Sequence, residues 1–236
     1  VSAAAGRAVG IGLLALAAAG ASGASLSWNN AAGGLWGTAT NWTPNGIPGA
    51  ADDAVISLAG TYTVSTGTIS PSASTLTIGN ANATLGIEPF RTLTVGTLAN
   101  NGVIVVNAPG SGNGAAMVLS GPSTITGTGT IRLNATDGVS SRAVLSPAVA
   151  ADVVTQGSGH TIAGAGNVFL SLNIMGTVSA DHAGRPLELQ TTAKTNTGTM
   201  QAVGGGVLNI NAGSVAQSGA GKIVAGDASL VLLGGG

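Results

Sequence analysis

The chain has 236 residues, a formal net charge of −1 and only 6% charged side chains, against 44% hydrophobic ones. Ordinary globular domains carry about 25% charged residues, so this surface must be wetted by Thr, Ser, Asn and main chain. The seven basic residues are scattered, which excludes the electrostatic footprint of a nucleic-acid binder, and the absence of cysteine excludes disulfides and thiolate metal sites.

Residues 1–24 read as a secretory signal peptide. Arg7 is the only charge before the apolar run 9–19, and Ala19-Gly20-Ala21 and Ser22-Gly23-Ala24 both fit small-x-small cleavage. The run is shorter than the roughly 20 apolar residues of a spanning helix. The expected location is therefore secreted or outer cell surface, with no membrane span in this stretch. The chain starts at Val1 without Met and stops at Gly236 just after a repeat strand. Both ends are expected to be cut from a longer product.

Residues 25–65 hold all three tryptophans, Trp28, Trp36 and Trp42, and the single tyrosine, Tyr62; Phe90 and Phe169 are the only later aromatics. Aromatic bulk at one end of an aromatic-poor chain suits a cap over the first repeat of a stack. The competing reading makes the tryptophans a carbohydrate-stacking platform. Packing is favoured, because each ring buries about 150–250 Å². Asp52-Asp53 falls short of the roughly 6–8 oxygens that calcium takes and reads as a turn.

From Thr61 onward, short β-type runs alternate with Gly, Asn and Pro. Thr75-Leu76-Thr77-Ile78, Thr92-Leu93-Thr94-Val95 and Thr130-Ile131-Arg132-Leu133 put apolar side chains on one face and threonine or arginine on the other. Residues 134–160 fit the pattern poorly, and 138–154 are expected to bulge from a corner. Further on, a motif recurs. Gly176, Gly198 and Gly221 are 22 and 23 residues apart, and the strand ends Leu189, Ile210 and Leu232 are 21 and 22 apart. Two markers keeping one period indicate a solenoid in which each unit is one coil. Residues 66–236 are therefore assigned to a right-handed parallel β-helix, with a β-sandwich as the alternative. Leu189, Ile210 and Leu232 are expected in one core column, and Val178, Met200 and Ile223 in another.

The unit Asn196-Thr197-Gly198-Thr199-Met200-Gln201-Ala202, followed by Gly204-Gly205-Gly206 and Val207-Leu208-Asn209-Ile210, resembles the coils of β-helical passenger regions in bacterial autotransporter-like surface proteins. The opening, with Trp36-Gly37, Asn41-Trp42, Pro48-Gly49 and Asp52-Asp53-Ala54-Val55-Ile56, is similar to the start of such proteins. The resemblance implies an exported all-β solenoid. It carries no catalytic residues and no cofactor.

Chemistry is sparse. His160 and His182 lack metal-ligand spacing, and Asp181-His182 reads as a solvated corner. Gly157-Ser158-Gly159-His160 is distantly similar to an element of polygalacturonases, without their acidic partners in register. The expected function is adhesive or structural, with weak multivalent contact to extracellular glycans or neighbouring surface proteins. The alternatives are a polysaccharide lyase or hydrolase and a passive stalk. Aspartates and arginines gathered in one groove would favour the enzyme.

Overall fold

The computed structural model describes residues 23–110 and 112–234, so the expected leader lies almost entirely outside the described residues. The described chain is a parallel β-solenoid of short strands. In its C-terminal half the strands stack along three walls. The first passes through Ala115–Leu119, Ala143–Pro147, the end of Thr161–Val168, Pro186–Thr191, Val207–Ala212 and Leu230–Leu233. The second passes through Ser123–Thr126, Val153–Gln156, Ser171–Ile174, Lys194–Asn196 and Val215–Gln217. The third climbs from Gly34–Leu35 through Tyr62–Ser65, Ala83–Ile87, Val103–Val106, Thr130–Asn134, the start of Thr161–Val168, Thr177–Ala180 and Thr199–Ala202 to Lys222–Ala225. Nearer the N-terminus the first two walls merge, and the long strand Thr92–Asn100 pairs with strands of both.

Alternation sets which side faces in. Leu76 and Ile78 are fully buried, while the alternating Thr75 and Thr77 stay part-exposed. The core is one continuous cluster running from Leu26 to Ile210. Each inward apolar side chain removes its area from water at about 25 cal/mol per Å², and threonine's branched Cβ suits the pleat on the wet side.

The column Val178, Met200, Ile223 is found in register, but only Val178 and Met200 are in the core, and Ile223 in the last coil is 37% exposed. Leu189 sits on Ile210, but the residue above Ile210 is Leu233, whereas Leu232 pairs with Asn209. The expected column therefore ends one residue too early. The cause is local: Asn196 pairs with Gln217, yet Thr199 pairs with Lys222, so the corner before Lys222 holds two extra residues. A one-residue error in register turns a side chain to the opposite face, and Leu232 stands in the outward column with Glu188 and Asn209.

The turn glycines are required by close approach of the main chain. A Cβ on Gly198 would lie 2.2 Å from the Gly176 oxygen, and one on Gly221 would lie 2.3 Å from the Asn196 oxygen. The asparagine of the same motif closes the corner. Asn196 Oδ1 accepts the Gly198 amide at 3.1 Å, and its Nδ2 donates to Lys222 O at 3.0 Å, in the next coil. Asn100 repeats the first contact with Gly102 at 3.1 Å. Buried amides with partners stabilise a corner that would otherwise hold orphaned polar groups.

Two expectations need correction. Residues 138–154 are not one bulge, because Ala143–Pro147 within them is a wall strand with Ala143 and Leu145 in the core. Only residues 138–142 and 148–152 lie outside wall strands, since Val153–Gln156 belongs to the second wall with Val154 fully buried. Residues 25–65, expected as a cap distinct from the coils, already belong to the solenoid ladder. Asp53–Ile56 pairs with Thr75–Ile78, and Tyr62–Ser65 with Ala83–Gly86. The lid proper is Trp42–Thr43, which pairs antiparallel with Ser25–Trp28.

Candidate functional site: a hollow on the charged corner

Charge is scarce in this chain, and much of it gathers where the third wall turns into the first. The strand Thr161–Val168 makes that turn without a loop. Gly164 (φ +107°) permits it, since a Cβ there would sit 2.0 Å from Leu133 O. The coils on either side carry loops that close over this flat strand. Arg132 reaches past Ala163 to grip Asp181 with both guanidinium nitrogens, at 3.1 and 2.8 Å. Arg142 pairs with Asp137 at 2.6 Å, and Ser140 Oγ donates to Glu188 Oε1 at 3.2 Å. The strap leaves Asn167 and Ser179 buried although both lie in outward columns. Asp181, expected as a solvated corner residue, is instead half of a bidentate ion pair.

Beside the strap lies a shallow hollow of about 290 Å³. Its floor is the outward face of the first wall at Ala116 and Val144, and its sides are Phe90, Arg91, Gly114 and Ser141. Phe90 is 68% exposed, whereas Trp28, Trp36, Trp42 and Tyr62 are buried. Its backbone is left-handed (φ +64°), a conformation that costs a non-glycine residue about 1–2 kcal/mol. The turn is held by the Phe90 amide on Gly114 O at 2.6 Å and the Arg91 amide on Glu88 O at 3.1 Å. Strain of this kind persists where the surroundings hold it, and it clusters at binding sites. Arg91 is half-buried and forms no ion pair among the described residues. The nearby Glu88 carboxylate accepts from Ser65 Oγ at 2.7 Å.

The other residues singled out in the sequence lie elsewhere. The three tryptophans pack into the N-terminal core, with no face free for a sugar. His160 is fully buried, and Asn100 Nδ2 lies 3.2 Å from its Nε2. Burial pulls its pKa down to about 4, so the ring is neutral at pH 7. Lys194 is 1% exposed, and its ammonium donates to Gln190 O, Thr192 O and Thr192 Oγ1 at 3.1, 2.7 and 2.8 Å. Both groups brace corners and face no groove. Among the described residues no three His, Cys, Asp or Glu side chains gather where they could hold a metal, and no helix is long and apolar enough to cross a membrane.

Phe90 and Arg91 were absent from the sequence candidates. The signal was available: Glu88-Pro89-Phe90-Arg91 places an aromatic between charges in a chain poor in both. Two further hollows lie on the walls and are lined mainly by small and hydroxyl side chains, such as Thr97, Ser123, Thr124, Thr126 and Thr155.

No family model matches the chain, and neither the curated proteins nor the solved structures contain a match to it. The likeness to autotransporter passenger regions rests on the repeat motif and the opening segment of the sequence.

Proposed function

We propose that this chain is part of an exported bacterial surface solenoid that binds glycans at the corner hollow. Phe90 carries the reading. It is the one exposed aromatic ring among the described residues, held in a strained turn over an apolar floor, with an arginine and a serine at the rim. A pyranose presents C–H groups on one face and hydroxyls around its edge. The ring and the Ala116–Val144 floor suit the first, and Ser141 and Arg91 suit the second. The hollow is shallow, so each contact is weak, and useful avidity comes from many copies on one surface. Export is supported by the leader-like residues 1–24 and the low-charge, threonine-rich exterior. The test is a glycan panel probed with the wild type and Phe90→Ala. Binding should fall by about tenfold or more in the variant, the scale set by losing one aromatic contact, with an unchanged melting temperature. Equal binding by both proteins defeats the assignment, and a wild type that binds no glycan favours a passive stalk.

One observation favours a second reading, a glycan-cleaving enzyme: aspartates and arginines do gather on one corner. Asp137 and Asp181 are both committed to arginines, which leaves Glu188, held by Ser140 and Gln190, as the carboxylate of this corner that forms no ion pair among the described residues. Release of new reducing or unsaturated ends from a polysaccharide, lost in Glu188→Gln, would establish that reading.

A further inference from the structure

The hollow is asymmetric in charge, and this narrows the class of glycan. The ion-paired groups of the corner neutralise one another: Arg132 with Asp181, and Arg142 with Asp137. Glu88 turns away to Ser65 Oγ, on the strand one coil below. Of the residues that line the hollow, Arg91 alone is charged; it forms no ion pair among the described residues and follows the exposed Phe90 in the chain. An arginine that lines an apolar-floored hollow and forms no ion pair among the described residues has its donors available to an anionic ligand. Its planar fork matches a carboxylate or sulfate through two parallel hydrogen bonds.

We infer that the hollow takes an anionic saccharide, with a sugar ring against Phe90 and its carboxylate or sulfate on Arg91. This rests on the glycan-binding reading above and adds the ligand's charge. Phe90, Arg91 and Ser141 line the same hollow, so a ring lying on Phe90 can offer its edge substituents to the other two. Lysine would supply the charge without the fork, so specificity for a planar anion depends on arginine at this position.

The decisive experiment compares a 1,4-linked uronic-acid tetramer, the same tetramer with its carboxyls reduced to alcohols, and a sulfated tetramer. Each is titrated calorimetrically against the wild type, Arg91→Gln, Arg91→Lys and Lys222→Gln. The wild type should bind one anionic tetramer about tenfold more tightly than the reduced one, as expected for a charge-assisted bidentate contact, and the preference should weaken with added salt. The comparison between uronate and sulfate identifies which anion the site takes. Arg91→Gln should erase the preference and Arg91→Lys should restore part of it. Lys222→Gln, on the third wall in the last coil, should keep it. Equal binding of charged and reduced tetramers by the wild type, or an unchanged preference in Arg91→Gln, overturns the anionic assignment while leaving a neutral glycan site standing. Failure to bind any tetramer overturns both.

Discussion

Trp42 donates its indole Nε1–H to the main-chain oxygen of Trp36 at 2.8 Å, and the two rings meet edge-on with centroids 4.9 Å apart. Trp28 completes the cluster, perpendicular to Trp42 at 5.1 Å. The middle ring thus fastens two turns of chain at once. It does so where the antiparallel strand Trp42–Thr43 lies along Ser25–Trp28 and blocks the N-terminal edge of that strand. An open strand edge is a template for unwanted pairing, and here the tryptophans cover it.

Trp42→Ala should therefore cost about 3–5 kcal/mol, the range for deleting a large buried aromatic. Because each coil touches only its neighbours, the loss should be local at first. Hydrogen exchange should show the strands Asp53–Ile56 and Tyr62–Ser65 losing protection before Pro186–Thr191. Trp42→Phe should do less damage, since it keeps much of the area and loses the bond to Trp36. A melting temperature unchanged in Trp42→Ala would rule out the capping role.

Gly198→Ala tests the corner glycines. Its Cβ would meet the Gly176 oxygen at 2.2 Å and the Met175 oxygen at 2.6 Å. Both are main-chain atoms of the neighbouring coil, so neither yields as a flexible side chain would. Destabilisation of about 1–3 kcal/mol or more is expected for such overpacking. Gly219 is the control: it has φ +59° and open space around it, so Gly219→Ala should cost only the left-handed penalty of about 1–2 kcal/mol. Urea titrations of the two variants, compared at equal slope, give the order directly.

The C-terminal coils were legible because two markers repeat there together. Gly176 and Gly198 mark a main-chain contact, and Val178 and Met200 mark the core two residues later. The error at Leu232 has the same origin as the success: a mean period was carried across a corner that is two residues longer. Residues 138–154 misled because Ala143–Pro147 is flanked by loops that also dilute its alternation. The corner hollow was hidden for a different reason. Phe90, Gly114 and Ser141 come from three successive coils, and only the stacking register brings them together. No spacing within one coil records that.

Acid should expose the cost of burying His160. Its folded pKa is about 4, against 6.5 for the free side chain, because burial disfavours the imidazolium. Above pH 6.5 the ring is neutral in both folded and unfolded chains, and the stability it supports is fully present. As pH falls from 6.5 to about 4 the unfolded chain takes up a proton that the folded chain refuses, so stability is lost across that window, by up to about 3 kcal/mol. Lys194 acts at the other end. Its pKa is lowered to about 8 by burial, so the folded state bears the cost of a buried ammonium below that value and is relieved as pH rises from 8 toward 10.5. The two shifts are of similar size, so the relief should be comparable to the acid loss. Urea midpoints measured from pH 4 to 10 should thus rise between 4 and 6.5, run level, and rise again above 8. His160→Gln keeps an acceptor for Asn100 and has no proton to gain, so it should flatten the acid limb alone, and Lys194→Met the alkaline one. A wild-type midpoint that does not change between pH 4.5 and 6.5 would show that His160 is not held neutral by its burial.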